Sequence, residues 1–126
     1  MAIAFERIVP ILRIFDVAKA REFYLDFLGF GVDWEHRFEP RLPLYMQVSR
    51  GNAVFHLSEH HGDGSPGAHV RIETSGVEEF QRELAGRKYN YMNPGVELAP
   101  WGELMVVVID PFGNRLFFCQ PVRENE

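Results

Sequence analysis

The sequence predicts an α+β fold made of two tandem βαβββ units, each a strand, a helix and three further strands. Three observations carry that prediction. The chain has 126 residues, the length of one domain or of two small units that share a core. The segment His60-His61-Gly62-Asp63-Gly64-Ser65-Pro66-Gly67 is rich in glycine, carries a proline, and divides the chain nearly in half, so it reads as a linker. The halves also match in pattern: Ala20, Phe23, Phe27 and Gly29 answer to Val77, Phe80, Leu84 and Gly86 at one constant offset. The expected organisation is one domain over residues 1–126, with module one at about 5–60, a linker at 61–67 and module two at about 68–120.

Module one opens with Ile8-Val9-Pro10-Ile11-Leu12-Arg13-Ile14, a β-branched run that reads as a strand. Ala20, Phe23, Tyr24, Phe27 and Leu28 then recur at three- and four-residue spacing and give one apolar helix face. Asp16 is placed to cap that helix and Gly29 to end it. Strands are expected at about Gly31–Arg37, Leu44–Ser49 and Ala53–Ser58, with Arg50-Gly51-Asn52 as the turn between the last two. Module two repeats the plan. Ala68–Glu73 reads as a strand and Val77–Ala85 as a helix stopped by Gly86. Tyr89–Asn93, Leu104–Ile109 and Arg115–Cys119 read as strands, the last two joined by Asp110-Pro111-Phe112-Gly113-Asn114. A unit of this size cannot bury both faces of its sheet, so the units must pair within or between chains.

Composition narrows the function. Eighteen acidic against 13 basic residues give a net charge of −5, the wrong sign for a nucleic-acid footprint. The single cysteine, Cys119, excludes an internal disulfide and a Cys-rich metal site, and its apolar neighbours make it a buried thiol. No apolar run approaches the roughly 20 residues of a membrane span, and the first residues lack a signal-peptide pattern, so the expected location is cytoplasmic. No Gly-rich phosphate loop lies between a strand and a helix.

The motifs go further. Val9-Pro10-Ile11-Leu12-Arg13, Asp16-Val17-Ala18, Glu22-Phe23-Tyr24 and Leu28-Gly29-Phe30, with Pro100-Trp101-Gly102 and Asp110-Pro111-Phe112-Gly113-Asn114, resemble the vicinal oxygen chelate superfamily. That group includes glyoxalase I, extradiol dioxygenases and the bleomycin-resistance proteins. The Val-Pro-x-Leu and Trp-Gly signatures, with Arg50-Gly51 and His60, resemble the bleomycin-resistance branch most. The resemblance implies curled mixed sheets with the helices outside, and association as a homodimer.

Enzymes of the superfamily hold a divalent metal from the first and last strands of each half, usually through His, Gln and Glu. The matching positions here are Val9, His56, Gly67 (with His69 two residues on) and Phe117. One ligand type in four does not make a Lewis-acid centre. The expectation is therefore no metal, no cofactor and no catalytic residue. The alternative is a metal-dependent glyoxalase, lyase or dioxygenase using His56 with rearranged ligands.

Strand alternation sorts the pocket. If His56 faces the trough, so do Val54 and Ser58, while Phe55 and Leu57 pack under the helix. The same parity points Arg13, His69, Arg71, Arg115 and Phe117 inward. That many guanidiniums would suit an anionic or neutral ligand. In the bleomycin-resistance proteins, the residues matching Trp101 and the aromatic near Trp34 line a crevice between subunits, and Asp33 matches an acidic position there. The implied ligand-binding set is Asp33, Trp34, Phe38, His56, Trp101 and Phe117. The expected function is small-molecule binding, sequestering a planar aromatic antibiotic of the bleomycin type, with no nucleic-acid or membrane partner.

Overall fold

In the computed structural model, which describes residues 2–122, the first strand β1 spans Ile11–Arg13. Helix α1 follows at Val17–Arg21 and runs on into a π-helical turn, Glu22–Phe27. Strands β2 (Gly31–His36), β3 (Tyr45–Arg50) and β4 (Ala53–Ser58) complete module one. Module two has β5 (His69–Glu73), α2 (Val77–Arg87), β6 (Glu97–Ala99), β7 (Glu103–Ile109) and β8 (Arg115–Pro121). The sheets have matching orders, β1-β4-β3-β2 and β5-β8-β7-β6, each with one parallel pair at its start (β1 with β4, β5 with β8). The doubling read from the sequence is thus a doubling of topology.

The local causes are visible. Asp16 is extended and its Oδ1 accepts from the Lys19 amide at 2.9 Å, the cap its position promised. The π turn follows from what α1 must bury. Phe23, Tyr24, Phe27 and Leu28 are all at most 1% exposed, a wider apolar arc than one α-helical stripe provides. The Leu28 amide bonds back five residues to the Phe23 carbonyl at 3.0 Å, so the wider turn brings all four inward.

Two expectations fail in module two. Gly86 does not stop α2, which continues to Arg87 and is closed by Lys88 in the left-handed region at φ 51°. Gly29, its counterpart, does take a positive φ of 80°. The segment Tyr89–Asn93 is not a strand, and the partner of β7 is Glu97–Ala99 instead. Aromatic packing claims that segment: Tyr89 stacks on Phe27 at 4.5 Å and 24°, and the Lys19 ammonium sits over the Tyr91 ring at 5.1 Å. The alternation of Tyr89 and Tyr91 looked like a strand, but it serves the contact between modules. The first strand is also shorter than the run Ile8–Ile14, although Pro10 and Ile14 still bond β4.

The core joins both modules. The buried face of α1 meets Met46, Val48, Phe55 and Leu57 of the first sheet, and Val106, Val108, Leu116 and Phe118 of the second belong to the same cluster. At its centre Tyr24 donates to Asp110 Oδ2 at 2.7 Å, while Asn114 donates to the Arg13 carbonyl at 3.1 Å. Among the described residues, no buried side-chain nitrogen or oxygen lacks a hydrogen-bond partner. No helix among them is long and apolar enough to cross a membrane.

Candidate functional site

Each sheet has one face under the helices and one open face, and the burial pattern separates them. On β3 and β4, Met46, Val48, Phe55 and Leu57 are buried, while Tyr45, Gln47, Val54 and His56 alternate with them and stay partly accessible. On β8, Leu116 and Phe118 are buried under the helix side and Phe117 lies on the other. The parity expected from His56 holds. Ser58 follows it in orientation but is buried, its hydroxyl donating to Asp63 at 2.9 Å.

The first trough is aromatic. Trp34, 42% exposed, stacks on Tyr45 at 5.9 Å and 11°, and meets His56 edge-on at 5.2 Å. The register Gln47↔His56 puts these two side chains directly across the β3–β4 pair. Four groups then form a hydrogen-bonded chain. Gln47 Nε2 donates to Asp33 Oδ2 at 2.9 Å, His56 Nε2 meets Gln47 Oε1 at 3.0 Å, and Tyr45 Oη meets His56 Nδ1 at 2.7 Å. The hydrogen bonds from Gln47 and Ser49 hold the Asp33 carboxyl below its usual range. Burial, reinforced by the positive charge of Arg7, lowers the His56 pKa.

The second trough holds the other tryptophan. Trp101 lies in the turn between β6 and β7, 67% exposed, where Gly102 takes φ +89° and donates to the Ala99 carbonyl at 3.0 Å. Its indole Nε1 donates to Glu103 Oε1, and the same carboxylate is gripped by both terminal nitrogens of Arg71. These bonds, from Arg71 first and Trp101 second, hold Glu103 below the usual carboxylate range. His69 packs against Phe117 at 5.5 Å on the same face. Burial raises the pKa of the Cys119 thiol, which keeps it protonated and unreactive.

Of the six candidate residues, Asp33, Trp34 and His56 come together in the first trough, and Trp101 and Phe117 lie on the open side of the second sheet. Phe38 is 75% exposed and packs edge-on against His36 at 4.8 Å. Sequence reasoning passed over Tyr45, Gln47 and Glu103. A signal existed for Gln47: counting back from the turn at Gly51-Asn52, which pairs Arg50 with Ala53, places Gln47 opposite His56. Two of the three guanidiniums expected to face inward have partners within the chain. Arg71 is paired with Glu103, and the Arg13 guanidinium lies over the Phe15 ring at 4.5 Å. A cleft of about 840 Å³ between the modules, floored by Phe30, Phe55, Phe80 and Phe118, includes none of the six candidates.

The residues at the superfamily's metal positions do not fit a metal. Val9 and Phe117 offer no donor, Gly67 has no side chain to coordinate with, and both ring nitrogens of His56 are already bonded. Among the described residues no three His, Cys, Asp or Glu side chains converge as ligands.

The fold and site together define a doubled βαβββ protein with open aromatic sheet faces. The chain belongs to the family described as glyoxalase superfamily protein, whose profile matches residues 1–125. Its structure is similar to a bleomycin resistance determinant encoded on the transposon Tn5 (TM-score 0.72, 22% identity, covering 93% of this chain and 98% of that one). It is also similar to a bleomycin-binding protein complexed with bleomycin (TM-score 0.70, 22% identity, 92% and 98%). A third likeness is to the bleomycin-binding protein of bleomycin-producing Streptomyces verticillus complexed with copper(II)-bleomycin (TM-score 0.66, 25% identity, 98% and 100%). No curated protein matches the chain by sequence.

The lowered His56 pKa has a consequence for stability. Below the ordinary value of 6.5, the folded chain binds fewer protons at His56 than the unfolded chain, so stability rises with pH there. The His56 contribution should be complete above about pH 6.5 and fade as the pH falls toward the folded-state value. Urea unfolding of the parent and of His56→Gln across this range is the check. The difference between their curves should shrink with acidification, and a constant difference would refute the linkage.

Proposed function

We propose that this chain is a homodimeric binding protein that sequesters a flat aromatic ligand of the bleomycin type without transforming it. The observation that carries the reading is the pair of exposed tryptophans, each fixed on an open sheet face by its neighbours: Trp34 by Tyr45 and His56, Trp101 by Glu103. Rigid rings lose little entropy when a flat ligand stacks on them. Acidic Asp33 in the first trough, with Arg71 already neutralised in the second, suits a ligand with cationic character. The similar bleomycin-binding proteins lend this ligand class further support.

A dimer is part of the proposal because the apolar surface of one chain calls for cover. Ile3, Phe5 and Ile8 project from the N-terminal segment almost fully exposed, and Trp34 and Trp101 stay accessible on the open sheet faces. A symmetric interface exceeding roughly 1,600 Å² in total is expected. Light scattering at tens of micromolar should give twice the 14.6 kDa chain mass, and a sharp 14.6 kDa species would count against the dimer.

Sequestration and catalysis separate by mass spectrometry of the ligand. Bleomycin recovered after long incubation with excess protein should have unchanged mass. A new product, formed in proportion to protein and abolished by chelator, would favour a metal-dependent enzyme.

A further inference from the structure

The hydrogen-bonded chain in the first trough has a fixed direction, and its starting point decides it. The Asp33 carboxylate can only accept, so the Gln47 amide must present its NH₂ to Asp33 and its oxygen to His56. His56 must then carry its proton on Nε2, which leaves Nδ1 bare. A bare Nδ1 accepts from Tyr45, so the phenol proton is committed to the imidazole. At the Tyr45 end of the chain the lone pairs of Oη remain for a newcomer; at the other end Asp33 also accepts from Ser49, and Gln47 keeps its second N–H. Beside them stand the faces of Trp34 and Tyr45, parallel within 11°.

We propose that Tyr45 and Gln47 are specificity-determining residues: with His56 neutral, the Tyr45 phenol oxygen meets a ligand as an acceptor, and there the first trough selects a flat ring bearing an N–H donor over one bearing an acceptor. Gln47 acts through His56 as a positioning residue, and Tyr45 is the group that touches the ligand. This inference rests on the small-molecule-binding reading above and names the chemistry of that ligand.

Protonation reverses the polarity. An imidazolium carries a proton on Nδ1 as well and donates to Tyr45 Oη. The phenol hydrogen is then free to turn into the trough and present a donor. The charged and titratable groups around this imidazole are Arg7 of the N-terminal segment, Asp33 of β2 through Gln47, and Tyr45 of β3; Arg13 of β1, two residues beyond Ile11, which pairs with His56, turns its guanidinium onto Phe15. His60 packs beside Tyr45 at 6.4 Å, and the negative charge of Asp63 also acts on the phenol.

Indole and benzofuran are nearly the same shape and differ in presenting one N–H donor or one oxygen acceptor. NMR titration of the full chain, following the Trp34 indole N–H, should give indole about tenfold tighter binding than benzofuran above pH 7.5, the effect of one hydrogen bond made rather than opposed. Tyr45→Phe keeps the ring and should abolish the preference. Lowering the pH through the His56 titration, read from its ring ¹⁵N shifts, should remove or invert it in the parent. Those shifts should also show the Nε2–H tautomer in the neutral parent, a readout that stands even if Tyr45→Phe does not fold. Equal binding of the two rings, failure of both to move Trp34, a preference that survives Tyr45→Phe, or an Nδ1–H tautomer would each overturn the proposal. Saturable binding of bleomycin without an indole preference overturns this inference alone. An indole preference without bleomycin binding overturns the antibiotic assignment and leaves this inference standing.

Discussion

Trp101→Ala is expected to weaken binding of a flat aromatic ligand by roughly ten- to a hundredfold while leaving the chain folded. Stacking a base-like ring on an aromatic side chain is worth about 1–3 kcal/mol, and about 1.4 kcal/mol is a factor of ten. Trp101 is held for that task. Pro100 stiffens the approach, Gly102 turns the backbone away at φ +89°, and the indole N–H is tied to Glu103, itself clamped by Arg71. The side chain lies outside the core, so its loss removes little packing. Fluorescence quenching by ligand should be strong in the parent and much reduced in the variant. If quenching persists unchanged in Trp101→Ala and disappears in Trp34→Phe, the first trough alone holds the ligand.

The largest stability effect should come from Asp110→Ala. This carboxylate is 4% exposed and accepts four hydrogen bonds: from Tyr24 Oη at 2.7 Å, the amides of Phe112 and Asn114 at 2.9 and 2.8 Å, and Asn114 Nδ2 at 2.8 Å. Removing it strands a phenol whose pKa burial and Asp110 already push well above its ordinary value. It also loosens Asn114, which binds the Ala68 amide and the Arg13 carbonyl and so ties β5 to β1. Breaking a buried network of this kind costs about 3–5 kcal/mol, a large share of the roughly 5–15 kcal/mol of a small domain. The urea midpoint should fall sharply with little change in slope. Tyr24→Phe, which deletes one partner, should cost about 1–2 kcal/mol. A loss below about 1 kcal/mol in Asp110→Ala would contradict the role given to the Asp-Pro-x-Gly-Asn turn.

How far the sequence carried the fold depends on what each element's formation requires. Ala53–Ser58 was bounded by a turn on one side and a glycine-rich linker on the other, and β4 has those limits. Asp16 announced a helix start because capping is local chemistry. The end of α2 was misread because Gly86 is one of several residues able to close the helix, and tertiary contacts of the following aromatics set the stop at Lys88. The strand misread at Tyr89–Asn93 failed for the same reason: alternation of aromatics describes a half-buried strand and equally a loop packed on a helix.

The candidate site was legible in its aromatics and obscure in its polar wiring. Trp34 and Trp101 stand out by size and by their flanking residues. The Asp33–Gln47–His56–Tyr45 chain depends on strand register, which a single sequence reveals only where a tight turn fixes the count. The bulge between Val32 and Trp34, which lets Trp34 rather than Asp33 pair with Gln47, has no signature in the sequence. Arg71 looked like a bare charge because its partner, Glu103, lies across two strands from it.

On the proposed function, the open aromatic faces bind a bleomycin-type ligand. Isothermal titration of the intact protein with metal-free bleomycin, carried to about 100 μM drug, tests it directly. A saturable isotherm with a sub-micromolar dissociation constant is the predicted result. The absence of binding heat across that range at two temperatures, so that a zero enthalpy at one of them cannot conceal association, would contradict it.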